Sequence, residues 1–175
     1  ITSIGERTFA GCQTFTSITI PDSVTSIGHS AFEYCDNLTD ITIPEDVTEI
    51  KNSTFKNCAS LTKVNFHDNI TKIGANAFSG TSITELKLPK YLSSIEQYAF
   101  ADSEIENISF GESLTSIGKN AFYGCQLTEL TLPDNVQYIE DYAFGYCDQL
   151  SSVILSKNLK KIGNSAFRGT AIKDI

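Results

Sequence analysis

Few side chains in this 175-residue chain are of the kinds that do chemistry. There are two histidines: His29 lies between Gly28 and Ser30, and His67 stands beside Asp68. A histidine and an aspartate adjacent in sequence become a catalytic pair only when folding adds a third group. No nucleophile elbow, phosphate loop or dinucleotide fingerprint accompanies them. The five cysteines are Cys12, Cys35, Cys58, Cys125 and Cys147, with no Cys-x-x-Cys pair among them. Carboxylates recur at Asp22, Glu45, Asp68, Glu112 and Asp134, interrupted by Lys90 and Lys157. One acid per repeat falls short of the six or more oxygens that calcium takes, and Asp and Glu there read as solvated turn residues. No catalytic residue, metal ligand or cofactor is therefore assigned, and the chain is expected not to be an enzyme.

The spacing of the apolar residues says much more. Phenylalanine recurs at Phe9, Phe32, Phe55, Phe78, Phe100, Phe122, Phe144 and Phe167, in steps of 23, 23, 23, 22, 22, 22 and 23 residues. Isoleucine recurs in the same steps at Ile4, Ile27, Ile50, Ile73, Ile95, Ile117, Ile139 and Ile162. The apolar residue that opens the next strand lies six positions after the phenylalanine at Phe15, Leu38, Leu61 and Leu150. It lies five positions after it at Ile83, Ile105, Leu127 and Ile172, so the missing residue falls in an exposed turn. All five cysteines sit three residues after the marker phenylalanine and report the repeat rather than a disulfide framework. Buried, reduced thiols are expected, because Thr81, Ser103 and Thr170 fill the same small slot.

A period of 22–23 residues with a Leu-x-x-Ile-x-Ile core lies in the leucine-rich-repeat range. The full pattern is Leu-x-x-Ile-x-Ile-Pro-x-x-Val-x-x-Ile-Gly-x-x-Ala-Phe-x-x-Cys. It resembles the BspA-like, or Treponema pallidum-type, class of leucine-rich repeats over essentially the whole chain. The fold expected is a repeat solenoid of α/β type, mostly β: a right-handed horseshoe with a parallel concave sheet of about eight short strands. The resemblance implies a cell-surface or secreted protein that adheres to a host protein, matrix or glycan. The rival expectation is a passive stalk or spacer for another domain.

Each position of the repeat has a predicted part. Leu38, Ile41 and Ile43 point inward from a strand, with Thr39, Asp40 and Thr42 outward. Pro44, like Pro21, Pro89 and Pro133, ends its strand; His67, Gly111 and Ser156 take that slot in other units. The Val-x-x-Ile piece is either a second short strand or a bend. Gly5, Gly28, Gly74, Gly118 and Gly163 follow the isoleucine, but Lys51, Glu96 and Glu140 do so elsewhere, so no glycine-only backbone angle is expected there. Ala-Phe is expected in a single helical turn, with the phenylalanines stacked as a spine.

Binding is left to outward positions. One strand column reads Thr19, Thr42, Asn65, Lys87, Ser109, Thr131, Ile154; its neighbour reads Ser17, Asp40, Lys63, Glu85, Asn107, Glu129, Ser152. From these, Thr42, Asn65, Lys87, Ser109, Thr131, Ile154, Lys63 and Glu85 are the ligand candidates, because curved solenoids recognise partners along such surfaces. The plainer account is that threonine suits a half-exposed strand. Tyr98 and Tyr142, near Tyr138 and Tyr146, form a second candidate patch. A net charge of −8 argues against nucleic acid and anionic membranes as partners. No run of 18 apolar residues suggests membrane insertion. The chain reads as one domain of seven to eight units, 1–175. Neither end carries a polar cap, which suggests a segment of a longer protein and allows end-to-end contacts.

Overall fold

The computed structural model describes residues 1–173. Fourteen strands among the described residues, numbered β1 to β14 in chain order, form two walls of a coil and alternate between them from β2 onward. One wall carries two-residue strands: β1 (Ser3–Ile4), β2 (Ser26–Ile27), β4 (Glu49–Ile50), β6 (Lys72–Ile73), β8 (Ser94–Ile95), β10 (Ser116–Ile117), β12 (Tyr138–Ile139) and β14 (Lys161–Ile162). The other carries three-residue strands: β3 (Asp40–Thr42), β5 (Lys63–Asn65), β7 (Glu85–Lys87), β9 (Asn107–Ser109), β11 (Glu129–Thr131) and β13 (Ser152–Ile154). All pairing is parallel, at a sequence offset of one repeat. The strand expected before β3 is reduced to a bridge from Ser17 to Asp40. The strand expected from Ile172 runs into residues 174–175, outside the described residues.

The Val-x-x-Ile piece is therefore a strand. It forms the longer ladder, a six-stranded sheet in the order β14-β12-β10-β8-β6-β4. The Leu-x-x-Ile-x-Ile wall is less continuous than the single sheet expected: it divides into the pairs β3-β5, β7-β9 and β11-β13. The breaks follow β5 and β9, whose strands run on into Phe66 and Phe110 rather than isoleucine or leucine. These rings stand edge-on to Phe78 (5.6 Å, 87°) and Phe122 (6.1 Å, 82°). A ring wider than an aliphatic side chain keeps the end of its strand away from the next coil. Val64 and Ile108, one turn of the pleat earlier, are only partly buried as a result.

The core is the predicted spine. Phe32, Phe55, Phe78, Phe100, Phe122 and Phe144 are fully buried, and seven successive pairs from Phe9 to Phe167 stack at 5.2–5.5 Å. Interplanar angles of 3–17° show that each ring repeats the pose of the one before it. Burying such a ring stabilises by roughly 1.5–3 kcal/mol. One phenylalanine per coil therefore supplies the core that no single coil could close.

The segment around each Ala-Phe is not a helical turn, and no helix occurs among the described residues. It is an arc of interlocked β-turns. Within a coil, Ala31 N–H donates to Gly28 O, Glu33 to Ser30 and Cys35 to Phe32. The alternate amides point out of the coil: Ser30, Phe32 and Tyr34 donate to Asn52, Thr54 and Lys56 of the next one. The same three links recur at each of the seven steps, always from a coil to the one after it. Two residues per arc hold this alternation by taking left-handed angles, for example Ser30 (φ 52°) and Tyr34 (φ 60°). None of the glycines after the isoleucine has a positive φ. Gly28 is needed for closeness instead, since a Cβ there would come within 2.5 Å of the Glu6 amide nitrogen in the preceding coil. Glu96 and Glu140 in that slot reach outward to Lys72 (2.7 Å) and Lys161 (2.8 Å).

Candidate binding site

The outward strand residues lie in register across coils. Thr42 faces Asn65, Lys87 faces Ser109, and Thr131 faces Ile154; in the neighbouring column Asp40 faces Lys63 and Glu85 faces Asn107. Asn65 is half-buried and donates to Thr42 Oγ1 (3.0 Å), so this pair is largely used in joining its own strands. Asn107 Nδ2 donates to Glu85 Oε1 at 2.7 Å. Many hydroxyls beside the strands serve the stack as well: Thr39 and Thr62 each donate to a carbonyl of the preceding coil (3.1 and 3.2 Å).

Of the predicted residues, the fold brings Glu85, Lys87, Ser109 and Thr131 together. With Asn107 and Glu129 they wall a depression of about 320 Å³ over Leu86 and Ile108, where the ladder opens between β9 and β11. Lys87 also borders a second depression of about 480 Å³, shared with Glu45, Phe66, His67 and Asn69. A third, of about 340 Å³, lies between Lys87 and Phe110. Lys87 is the meeting point of all three, and it makes no ion pair among the described residues. Thr42, Lys63 and Ile154 border none of these three depressions; Ile154 is instead an isolated apolar side chain, 60% exposed.

His67 occupies the proline slot with its ring turned inward. Its Nδ1 accepts the Asn69 amide proton (3.2 Å) and lies 3.6 Å from Glu45 Oε2. With Nδ1 accepting, the neutral ring carries its proton on Nε2. That atom is buried and has no partner. An unpaired buried polar group costs on the order of 1–3 kcal/mol, so one at the edge of a depression is a group that a ligand could satisfy. His29 is exposed and takes part in no such site.

Tyr98 and Tyr142 are not on the strand face. They lie on the turn arc with Tyr123 and Tyr146, around a separate depression of about 520 Å³. The Tyr123 and Tyr146 rings meet at 5.3 Å and 55°, and Arg168 lies 5.9 Å over the Tyr146 ring. Hydrogen bonds from Ser165 and then Arg168 draw the Tyr142 phenol below its usual range. Asn120, 8% exposed, lines this depression, and its Oδ1 is the second buried side-chain atom without a partner.

The cysteines are all free. Cys35 Sγ donates to Phe9 O (3.1 Å), Cys58 to Phe32 O (3.0 Å), Cys125 to Phe100 O (3.2 Å) and Cys147 to Phe122 O (3.1 Å). Ser103 Oγ makes the same bond to Phe78 O (2.9 Å). Burial pushes the thiols up, to about 11 at Cys35 and about 12 at Cys58 and Cys147. The acidic turns are also used locally: Asp134 pairs with Lys157 (3.3 Å), and Asp68 accepts from the Lys90 amide (3.1 Å). Among the described residues no group of three or more His, Cys, Asp or Glu could hold a metal ion.

The coil, its spine and its two strand walls agree with known proteins. The model for the BspA type Leucine rich repeat region matches residues 1–103 and 71–175, in six copies. A leucine-rich repeat protein from Bacteroides ovatus, known from a crystal structure, is 34% identical with a TM-score of 0.95. That match covers all of this chain and 46% of the other, so this chain spans just under half that protein's length. The T. pallidum leucine-rich repeat protein is 25% identical over 93% of this chain and 66% of its own, with a TM-score of 0.63. No curated protein matches in sequence. A repeat read from phenylalanine and isoleucine spacing, a family model spanning both halves, and a near-superposable crystal structure converge: the chain belongs to the BspA-type leucine-rich-repeat family.

Proposed function

We propose that the chain is a non-enzymatic binding module of a cell-surface or secreted protein, and that it adheres through its strand face to a host protein, matrix component or glycan. The observation that carries this reading is the convergence at Lys87. Three depressions meet there, the strand ladder opens on both sides of the β7-β9 pair, and an unpaired His67 Nε2 lies in the adjoining wall. A charged residue with no ion pair among the described residues, set among exposed polar side chains, is where a partner gains from complementary contact. A passive spacer would be served by the regular spine alone and would gain nothing from these interruptions.

The test is a binding screen of the purified chain against immobilised extracellular-matrix proteins and a glycan array. It is followed by Lys87→Glu and by Thr42→Ala as a control away from the depressions. Binding that falls at least tenfold in Lys87→Glu, with an unchanged melting curve and an unaffected control, supports the strand face. Binding indifferent to Lys87 refutes the site, and no binding to any surface favours the spacer.

A further inference from the structure

The turn arc presents an aromatic surface that the fold itself does not require. Two slots per coil take left-handed angles, and eleven of the sixteen are filled by the small residues glycine, asparagine, aspartate or serine, of which glycine, asparagine and aspartate suit that geometry best. Tyrosine takes one of these slots four times, at Tyr34 (φ 60°), Tyr98 (φ 57°), Tyr142 (φ 54°) and Tyr146 (φ 57°). A bulky side chain there carries a steric cost that glycine would avoid. Three of the four rings fall in one depression, the one lined also by Asn120 with its unpartnered Oδ1. The rings lie outside the phenylalanine spine, and Tyr98 and Tyr146 are 38% and 44% exposed. Backbone cost, exposed rings and an unmet acceptor at one place mark a surface kept for a ligand.

The spacing identifies the class. Tyr98, Asn120 and Tyr142 occupy the same slot in three successive coils. The spine phenylalanines of these coils are 5.3 and 5.4 Å apart. Tyr98 and Tyr142 are thus separated along the stack by two coil steps, roughly 10 Å at the usual strand spacing. A polyproline II helix advances about 3.1 Å per residue and repeats every third residue, roughly 9.3 Å. We propose that the arc binds a proline-rich peptide in the polyproline II conformation, lying along the stack. Prolines three residues apart pack on Tyr98 and Tyr142. A non-proline residue between them lies over Asn120, whose side chain turns outward so that its Oδ1 accepts that residue's amide. Such a ligand is ordered before it binds and so loses little entropy on docking to aromatic side chains. This site is separate from the strand face and has its own ligand.

The experiment is an amide chemical-shift titration of the chain with a twelve-residue peptide of Pro-Pro-Ala repeats. An alternating Pro-Ala peptide of the same length, in which no two prolines stand three residues apart, is the control. The variants are Tyr98→Ser and Tyr142→Asn, each residue being native to that slot in another coil. Expected are saturable shifts centred on Tyr98, Asn120 and Tyr142, at least fivefold weaker binding of the control, and at least tenfold loss in each variant with melting unchanged or raised. Lys87→Glu should leave this binding intact, which separates its fate from that of the strand face. Absence of saturable shifts at millimolar peptide overturns the proposal. So does equal binding of the control peptide, indifference to both tyrosines, or tyrosine-dependent binding of an oligosaccharide in place of the peptide.

Discussion

The Cys58 thiol lies 3.0 Å from the Phe32 carbonyl of the coil before it, and that bond explains a slot that size alone does not. Cysteine, serine and threonine share smallness, which the sequence shows, and a donor, which matters only once the phenylalanine carbonyl is seen beside it. Alkaline pH tests this chemistry. Below about pH 9 the folded and unfolded chains both keep the thiol protons, and their contribution to stability is whole. Above it the unfolded chain loses them, while the folded chain holds Cys58 and Cys147 to about 12; stability therefore falls as pH rises through that window. The urea midpoint is expected to drop between pH 8 and pH 10, and to drop less in Cys58→Ser, which keeps a donor without a group that ionises there. Side chains inside and outside the spine should differ sharply. Phe100→Ala should cost about 3–5 kcal/mol in a urea melt. Thr131→Ala on the strand face should stay within about 0.5 kcal/mol.

At the scale of elements, the turn arc was the part least legible in the sequence. Ala-Phe followed by a polar pair is compatible with a helical turn, and both structures use bonds between residues three or four apart. The telling signal lies two residues after the phenylalanine, where Gly11, Asn57, Gly80, Asp102, Gly124 and Gly169 stand. These are residues that accept left-handed angles, whereas the more conspicuous glycines after the isoleucine answer to crowding between coils. The three-residue strands were legible because apolar and polar residues alternate in all of them but β13, which ends on Ile154; the breaks in their wall were not, because they depend on how a ring at Phe66 or Phe110 meets the spine. The arc makes its own predictions. Gly80→Ala (φ +70°) should cost about 1–2 kcal/mol. Ser53→Gly (φ 58°) should be neutral to about 1 kcal/mol stabilising, since relief of left-handed crowding outweighs the added freedom of the unfolded chain. Parallel denaturant melts of the two variants check both signs.

Across the whole molecule, electrostatics contribute little to cohesion. Each of the four Lys or Arg ion pairs among the described residues has at least one substantially exposed partner, and such pairs contribute about 0–1 kcal/mol. The net charge of −8 repels itself, so 1 M NaCl should leave the melting temperature equal to or above its value at 0.1 M. A fall of several degrees would mean that the pairs matter more than their exposure indicates. Strand-face candidates such as Glu85 and Lys87 were legible as outward residues, but their convergence was not, because it follows from where the ladder parts. The arc has a consequence at this scale too. Its three amides per step all aim the same way, so along the arc every coil shows donors on one flat side and acceptors on the other, whereas the strand walls also donate backward, as Thr25 does to Thr2 and Gly28 to Ile4. Peptide dipoles aligned in this manner add up, as they do in a helix, to a moment that grows with each coil. Two such stacks meeting by matching sides would set donor against donor. Where two arcs met end to end, their own polarity would therefore favour unlike sides, a heterologous contact of the kind that extends into fibres rather than closing into pairs.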